Sequence, residues 1–176
     1  MAYILKNIQY PNGEFKYGQK YDKISCEFLI KSLNEYPAKL KDLVEKMPPE
    51  KWQKSYRPGG WTALQLTNHL SDVFINAFIR TKWLLTENEA VLKPYDQDAC
   101  ALLSDSTFHD TVVAVALLEN LMIKWVFILE NDGLKNLNKT IIHPENNMRI
   151  SMGEMIAAYE WHAHHHLAHL QIIYES

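Results

Sequence analysis

Histidines crowd one short stretch near the end of this 176-residue sequence, where five of the chain's eight fall within eight positions: His162, His164, His165, His166 and His169. Imidazole is the commonest metal-binding side chain, and it can also act as an acid or base near neutral pH. The run is interrupted and continues into the apolar sequence Leu-Gln-Ile-Ile-Tyr. It is therefore predicted to belong to an amphipathic helix rather than to an appended purification tag.

The direction of each histidine follows from the helical wheel, on which successive residues are about 100° apart. His162 and His166 lie in the middle of the apolar stripe of this helix. His169 lies near the edge of the stripe, His165 flanks it, and His164 points to the opposite side. Two imidazoles at positions i and i+4 can bind the same metal ion, so the sequence predicts His162 and His166 as metal ligands.

A third ligand is expected because two imidazoles seldom form a good site. His69 is the natural donor, because it lies on the same side of a predicted helix as Leu66 and Val73. Taken alone, it would equally fit a hydrogen-bonded residue of the core. Three neutral imidazoles leave a coordination position open, which is typical of a catalytic rather than a structural zinc site. We therefore expect one divalent metal ion per chain, with zinc or nickel the ions that suit this donor set.

The elements that must position these residues are long helices separated by a few joints rich in Gly and Pro. The helical patterns cover residues 24–47, with Pro37 as a kink or a true start, then residues 62–85, 108–130 and 151–176. Thr62 with Gln65, and Ser151 with Glu154, have the spacing of N-terminal capping boxes. Residues 140–143 and 148–150 predict a small β-hairpin between helices three and four. The sequence thus predicts an all-α four-helix bundle, in a single domain over residues 1–176.

Charge and cysteine usage argue against several classes of protein. The net charge is −3 and no block of five like charges occurs, which disfavours binding to nucleic acid or to a membrane surface. Cys26 and Cys100 lie far apart and suit a reducing cytosol better than a disulfide framework. The N-terminus lacks an apolar core of signal-peptide length, and no run approaches the roughly 18 apolar residues of a membrane-spanning helix. A cytoplasmic protein is expected.

Several enzyme motifs are absent from the sequence. There is no E-x-x-H, which a ferritin-like di-iron bundle needs, and no H-E-x-x-H of the zinc peptidases. The nucleotide-binding motifs G-x-G-x-x-G and G-x-x-x-x-G-K-[ST] and the serine-hydrolase motif G-x-S-x-G are missing too. The sequence therefore gives no support to these four activities.

Six segments, in order, resemble the YfiT branch of the DinB/YfiT superfamily: Tyr-Pro-Asn-Gly at 10–13, Tyr-Arg-Pro-Gly-Gly-Trp-Thr at 56–62, Asn-His-Leu-Ser-Asp at 68–72, Asn-Ala-Phe-Ile-Arg at 76–80, Lys-Pro-Tyr-Asp at 93–96 and the histidine-rich segment at 159–169. The resemblance implies a DinB-type four-helix bundle with one divalent metal ion. The family's ligands are one histidine of helix two and an H-x-x-x-H of the last helix, which correspond here to His69, His162 and His166.

The same resemblance implies an activity and an assembly. Members of this branch are described as metal-dependent hydrolases and homodimers, and some relatives are thiol S-transferases, notably bacillithiol transferases. One departure concerns the segment after Lys-Pro-Tyr-Asp, where the family tends to carry a Trp and this chain has Asp98, Ala99 and Cys100. The family's substrate is therefore not carried over to this chain.

Polar residues on the His69 side of helix two are candidate substrate contacts. Asn76 and Arg80 share that side, and Arg80 suits an anionic or carboxylate group. His165 and His169 are candidates for a catalytic acid or base. We expect a metal-dependent hydrolase, or a transferase that uses a low-molecular-weight thiol, acting on a small molecule. The alternative is a non-catalytic bundle, a stress or structural protein whose metal plays no chemical part.

A homodimer is predicted from helix two itself, which is apolar on the side of Phe74 and Phe78 as well as on the His69 side. A four-helix bundle is expected to bury only one of these sides, so the other would form a twofold contact. The alternative is that the first forty residues cover Phe74 and Phe78 within one chain.

Overall fold

A computed structural model describes residues 8–176. Its long helices and its hairpin are α1 (Lys23–Lys46), α2 (Ala63–Thr86), α3 (Thr111–Ile128), β1 (Thr140–His143), β2 (Met148–Ser151) and α4 (Met152–Glu175). Shorter helical turns occur at Pro49–Lys51, Gln97–Cys100, Ser104–Thr107 and Leu129–Gly133. The predicted all-α four-helix bundle, with its hairpin between the third and fourth helices, is confirmed.

The order of the helices around the bundle places α2 beside α4. Both α1 and α2 pack against α3 and α4, so α1 and α2 lie diagonally across the core although they are consecutive in the chain. Tyr36 of α1 and Trp125 of α3 reach the bundle centre, where their rings contact Phe74 of α2. The indole nitrogen of Trp125 is satisfied there by a 2.8 Å hydrogen bond to the hydroxyl of Thr81.

This packing corrects the surface expected for a dimer. Phe74 is completely buried, because α2 has helical neighbours on two sides. The second apolar side of α2 is therefore covered within the chain, and Tyr36 of α1 provides part of that cover.

The N-terminal ends of α2 and α4 are capped by the residues that the sequence pattern predicts. The hydroxyl of Thr62 accepts from Gln65 N, and the Gln65 amide oxygen accepts from Thr62 N, which completes a capping box. Ser151 caps α4 in the same way by accepting from Glu154 N. The Glu154 carboxylate does not return to Ser151, however; it accepts instead from the backbone N–H of Gly18. This bond ties the N-terminal arm, residues 8–22, to the start of α4.

Two helix boundaries differ from the prediction. Pro37 lies inside α1 and is buried, so it does not mark the start of that helix. Helix α3 begins at Thr111, because residues before it form a separate turn at Ser104–Thr107. Helix α3 also ends earlier, at Ile128, and continues as a wider turn through Gly133.

The outer side of α3 is unusually apolar. The segment Thr111–Gly133 is long and apolar enough to cross a membrane by length and composition alone, contrary to the expectation that no such run occurs. In the bundle, 39% of its most apolar stretch is buried. It is the one such helix within residues 8–176. Five large apolar side chains of α3 are exposed: Val112, Val113, Leu117, Ile123 and Phe127.

Candidate metal centre

The neighbouring helices α2 and α4 bring the three predicted ligands together. The Nε2 atoms of His69 and His162 lie 3.3 Å apart. The ring of His166 is centred 5.0 Å from that of His69 and 4.5 Å from that of His162. One nitrogen from each of the three rings lies within 4.8 Å of the other two. The triad predicted from the sequence is thus a single cluster of imidazole nitrogens.

The spacing of these nitrogens suits a metal ion. Two nitrogens bound at about 2.0–2.1 Å to a tetrahedral ion are separated by about 3.3 Å. His69 and His162 already show that separation. Neutral imidazole is also a donor that zinc, nickel and similar ions accept. The three histidines therefore fit a divalent metal ion both in their donor atoms and in their spacing.

Burial keeps these rings neutral. Loss of hydration lowers the pKa of His69 to about 4. Burial, with added repulsion from His69 and other histidines, lowers the pKa of His162 to about 3. The pKa of His166 is well below its usual range for the same reasons, burial first. At pH 7 all three rings are unprotonated at one nitrogen, which is the form that binds a metal ion.

A chain of hydrogen bonds connects His166 to the N-terminal arm through His169. The Nε2 of His169 lies 3.2 Å from the carbonyl oxygens of both Ile8 and Gln9. Carbonyl oxygens only accept, so His169 Nε2 must carry the proton, and Nδ1 of the neutral ring is then an acceptor. His166 Nδ1 lies 3.3 Å from that nitrogen and must donate to it. The lone pair of neutral His166 is therefore on Nε2, the nitrogen left for a metal ion.

A second group of three histidine nitrogens lies next to the first and shares His166: His165, His166 and His169. The hydrogen bond between His166 and His169 already occupies Nδ1 of both rings. Binding of a second ion to Nδ1 would therefore require neutral His166 to lose its one ring N–H proton as well. We interpret this group as the hydrogen-bonded support of the triad, not as a separate site.

Aromatic rings hold the histidines from the loop that precedes α2. The ring of Tyr56 stacks on His169 with centroids 3.8 Å apart, and Trp61 lies 4.5 Å from His69. The loop can fold this tightly because of Gly60, where a Cβ would lie 2.9 Å from side-chain atoms of both Tyr56 and Arg57. The Arg-Pro-Gly-Gly-Trp segment thus packs against the triad.

Two cavities meet at His162, which lines both of them. The larger has a volume of about 580 Å³ and lies between α2, α4, the hairpin and the N-terminal arm; its polar lining includes Tyr17, Arg80, Tyr95, His143 and Tyr159. The smaller, of about 340 Å³, is lined by the loop before α2 and the histidines of α4. The cluster therefore borders both cavities.

The four other predicted site residues have different placements. Arg80 lines the larger cavity, and His165 and His169 line the smaller one. Asn76 lines neither; its amide donates to the backbone oxygen of Asp72 one turn earlier. His165 stacks on Trp161 with ring centroids 4.5 Å apart.

Some residues of the cavities were missed from the sequence. Tyr95 lies in the Lys-Pro-Tyr-Asp segment, so this motif marks the residue. The motif does not show that the Tyr95 side chain points into the cavity. His143 has no partner pattern in the sequence, yet it lines the larger cavity. Tyr10, Phe15 and Tyr17 come from the N-terminal arm, whose path over α4 no local pattern predicts.

Comparisons with known proteins agree with the resemblance noted in the sequence. The model of the DinB superfamily matches residues 32–170. A Bacillus subtilis (strain 168) protein named "Putative metal-dependent hydrolase YfiT" is 37% identical over 164 residues, which are 93% of this chain and 92% of that protein. A protein of Oceanobacillus iheyensis with the same description is also 37% identical over 164 residues, covering 93% of this chain and 94% of its own.

A solved structure gives the same result in three dimensions. The structure of YfiT from Bacillus subtilis, described as "a probable metal-dependent hydrolase with an unusual four-helix bundle topology", matches with a TM-score of 0.88 and 36% identity, over 95% of each chain. The family model covers most of the present sequence, and these relatives cover more than nine tenths of it. The chain therefore belongs to the DinB superfamily.

Proposed function

We propose that the protein is a divalent-metal-dependent enzyme that acts on a small molecule at the point where its two cavities meet. The observation that carries this proposal is the position of His162, which belongs to the nitrogen cluster and lines both cavities. A structural zinc site has four protein ligands and no access, whereas three imidazoles beside a cavity leave room for a substrate. The relatives' descriptions as metal-dependent hydrolases support the same conclusion.

The ligands in this proposal are His69, His162 and His166, with zinc or nickel as the ion. When bound there, such an ion would supply Lewis acidity and would lower the pKa of a water or thiol. The protein's part is to keep the three imidazoles neutral by burial. His169 holds the proton of His166 on Nδ1, and the aromatic rings of Tyr56 and Trp61 fix the directions of the histidines.

Both reaction classes, hydrolysis and thiol transfer, fit this site. No carboxylate of residues 8–176 forms a hydrogen bond or ion pair with a ring of the triad, so no acidic side chain is placed as a general base for a water. A thiol needs less help, because a metal ion can deprotonate it directly. Two cavities on either side of His162 also offer one place each for a thiol and an electrophile. These observations favour a low-molecular-weight-thiol transferase over a hydrolase.

His165 and His169 are the remaining candidates for moving a proton. Burial lowers the pKa of each to about 4, so both are neutral at pH 7 and suit the role of a base better than that of an acid. His165 has the stronger claim, because its Nδ1 is buried without a hydrogen-bond partner among the described residues. His169 already uses both nitrogens.

The test compares turnover with folding. Zinc- and nickel-loaded protein is incubated with an electrophile, 1-chloro-2,4-dinitrobenzene, with and without the thiol cysteine, and in parallel with the ester 4-nitrophenyl acetate. We expect thiol-dependent turnover that His162→Ala abolishes while the helical circular-dichroism spectrum is kept. Turnover of the ester alone would favour the hydrolase. Absence of both reactions, together with unfolding of His162→Ala, would favour the non-catalytic alternative.

Assembly and location complete the proposal. We infer a homodimer formed through the outer side of α3, because five large apolar side chains are exposed there and a second copy would cover them. This surface replaces the one predicted around Phe74. A cytoplasmic location agrees with Cys26 and Cys100, both of which are free thiols.

A further inference from the structure

The larger cavity contains a positive charge, that of Arg80, which forms no ion pair with a carboxylate of the described chain. Arg80 has five N–H donors. It donates to the hydroxyl of Tyr159 and to the carbonyl of Lys93, each at 2.9 Å. Its Nε is buried without a partner, and no carboxylate in residues 8–176 forms an ion pair with it. Since a partly buried charge is costly unless it is paired, Arg80 has the character of a ligand-binding group.

Two further residues of the same cavity carry buried polar atoms without a hydrogen-bond partner among the described residues. These atoms are the hydroxyl of Tyr95 and Nδ1 of His143. The guanidinium carbon of Arg80 lies 5.9 Å from the centre of the Tyr95 ring. Burial raises the pKa of Tyr95, so its hydroxyl keeps its proton and remains a donor. Buried polar atoms are rarely left without partners in a folded protein, so three of them on residues that line one cavity favour a polar ligand there.

We propose that Arg80, Tyr95 and His143 form an anchoring subsite for a carboxylate group of the substrate. This inference rests on the proposed function and deepens it by naming a substrate class. Other parts of the cavity wall are apolar, with Val73, Leu92, Ile141, Ile150 and Met155 among the lining residues. The substrate class is therefore a small amphipathic acid: its carboxylate lies against Arg80, its apolar body contacts these side chains, and its reactive end is directed to His162.

The acidic residues of the cavity support one orientation for such a ligand. Glu14 and Glu145 line the same cavity. Glu145 forms no ion pair with Arg80. The negative charge of Glu145 disfavours a ligand carboxylate placed beside it. The anionic end is consequently directed to the arginine and away from the rest of the cavity lining.

The experiment compares 3-phenylpropionate with its neutral amide, 3-phenylpropanamide, which have nearly the same shape. Binding of each to metal-free protein is measured by isothermal titration calorimetry, so that no metal ion contributes to holding the carboxylate. We expect the acid to bind at least about tenfold more tightly than the amide, because hydrogen bonds to a charged group are the stronger kind. Arg80→Gln should remove that preference, Arg80→Lys should keep part of it, and Tyr95→Phe should reduce it several-fold.

The matched control is Arg149→Gln, which removes an exposed arginine whose partner is the exposed Glu89. This variant should keep the wild-type preference. Equal binding of acid and amide, no measurable binding of the acid, or a preference that survives Arg80→Gln in folded protein would overturn the subsite. Because the titration uses metal-free protein, it is independent of the metal site. Failure of the acid preference with intact zinc binding refutes the subsite alone, and the reverse result refutes the proposed function alone.

Discussion

The inner side of α4 and the outer side of α3 depart from the usual distribution of residues in opposite ways. Helix α4 buries three histidines, His165, His166 and His169, each less than a tenth exposed. Helix α3 leaves Ile123 and Phe127 each 67% exposed. Buried polar groups and exposed apolar patches are the two placements that call for an explanation, because both cost free energy in an isolated chain. Neither placement is explained by the chain alone: the proposed metal ion would account for the buried histidines of α4, and the proposed second copy would account for the exposed apolar side of α3.

The two sides also differ in what controls them. The side of α4 depends on proton positions, since its rings must be neutral and correctly hydrogen-bonded to bind an ion. The outer side of α3 contains aliphatic and aromatic groups that do not titrate. Acid should therefore protonate the histidines of α4, whereas it should not change the charge of the apolar side chains on α3.

The largest effect is expected from acid on the metal-free protein. Burial holds the pKa of His69, His165 and His169 at about 4 and that of His162 at about 3. In the unfolded chain the pKa of histidine is about 6.5. The buried neutral rings therefore cost no stability above about pH 6.5, and the folded state loses stability as the pH falls from about 6.5 toward 4. We expect a combined loss of about 5 kcal/mol or more, seen in urea unfolding at pH 7 and pH 4.5. A flat profile over that range would show that the histidines are not buried as described.

Removal of a metal ligand should have the next largest effect. His166→Ala deletes one of three donors and should weaken zinc binding by at least about 100-fold, measured by competition with a chelator. The control is His109→Ala, which removes an exposed histidine that belongs to neither histidine group. Equal zinc affinity in the two variants would mean that the triad is misassigned.

The outer side of α3 can be tested by one polar substitution. Phe127→Ser removes an aromatic group that would be buried in both copies of a dimer, at about 2 kcal/mol for each. We expect sedimentation equilibrium to give a dimer dissociation constant at least about 100-fold larger than that of the wild type, with zinc affinity unchanged. A monomeric wild-type protein at micromolar concentration would remove the dimer altogether.

A smaller effect is expected for His169→Ala, which leaves the ligands in place and removes the acceptor of the His166 proton. Zinc affinity should fall by about 10- to 100-fold, as for other hydrogen-bond partners of ligands. His169→Gln, whose amide oxygen can accept the same proton, should recover part of the loss. Nitrogen-15 NMR should also show His166 protonated on Nδ1 in the wild type and a mixture of tautomers in His169→Ala. An unchanged tautomer would contradict the hydrogen-bond chain.

The sequence predicted the parts of this comparison that depend on local periodicity. His162 and His166 are one helical turn apart, so their shared direction follows from the helix itself, and the capping pair Thr62 and Gln65 acts within four residues. The predictions that were wrong concern residues whose burial depends on the helices packed against them, which no local sequence pattern reveals. The sequence places Phe74 at a dimer contact or under the first forty residues, because the wheel shows two apolar sides without showing that α1 and α3 cover one of them.

The support of the site illustrates the same limit. Glu154 has capping-box spacing, yet its carboxylate binds Gly18 of an arm more than one hundred residues away in sequence. His169 orients the ligand His166 through a hydrogen bond, although the helical wheel places His169 only at the edge of the apolar stripe. Long-range contacts of this kind are set by the packing of the whole bundle.

The smallest predicted effect concerns the helix that carries His69. Thr62→Ala removes the cap of α2 and should lower the free energy of unfolding by about 1 kcal/mol in a chemical denaturation experiment. Zinc affinity should change little, because His69 lies two turns into the helix and stays packed against Trp61. A loss of zinc binding comparable to that of His166→Ala would show that the start of α2, rather than the packing around it, positions the ligand.

The most direct test of the metal centre is X-ray absorption spectroscopy on protein loaded with one zinc ion per chain. We predict three imidazole nitrogens and at least one oxygen donor from solvent, all at about 2.0–2.1 Å, with no sulfur from Cys26 or Cys100. The number of imidazoles should fall to two in His166→Ala. Four protein donors, a sulfur ligand, or an unchanged spectrum in His166→Ala would contradict an open three-histidine site.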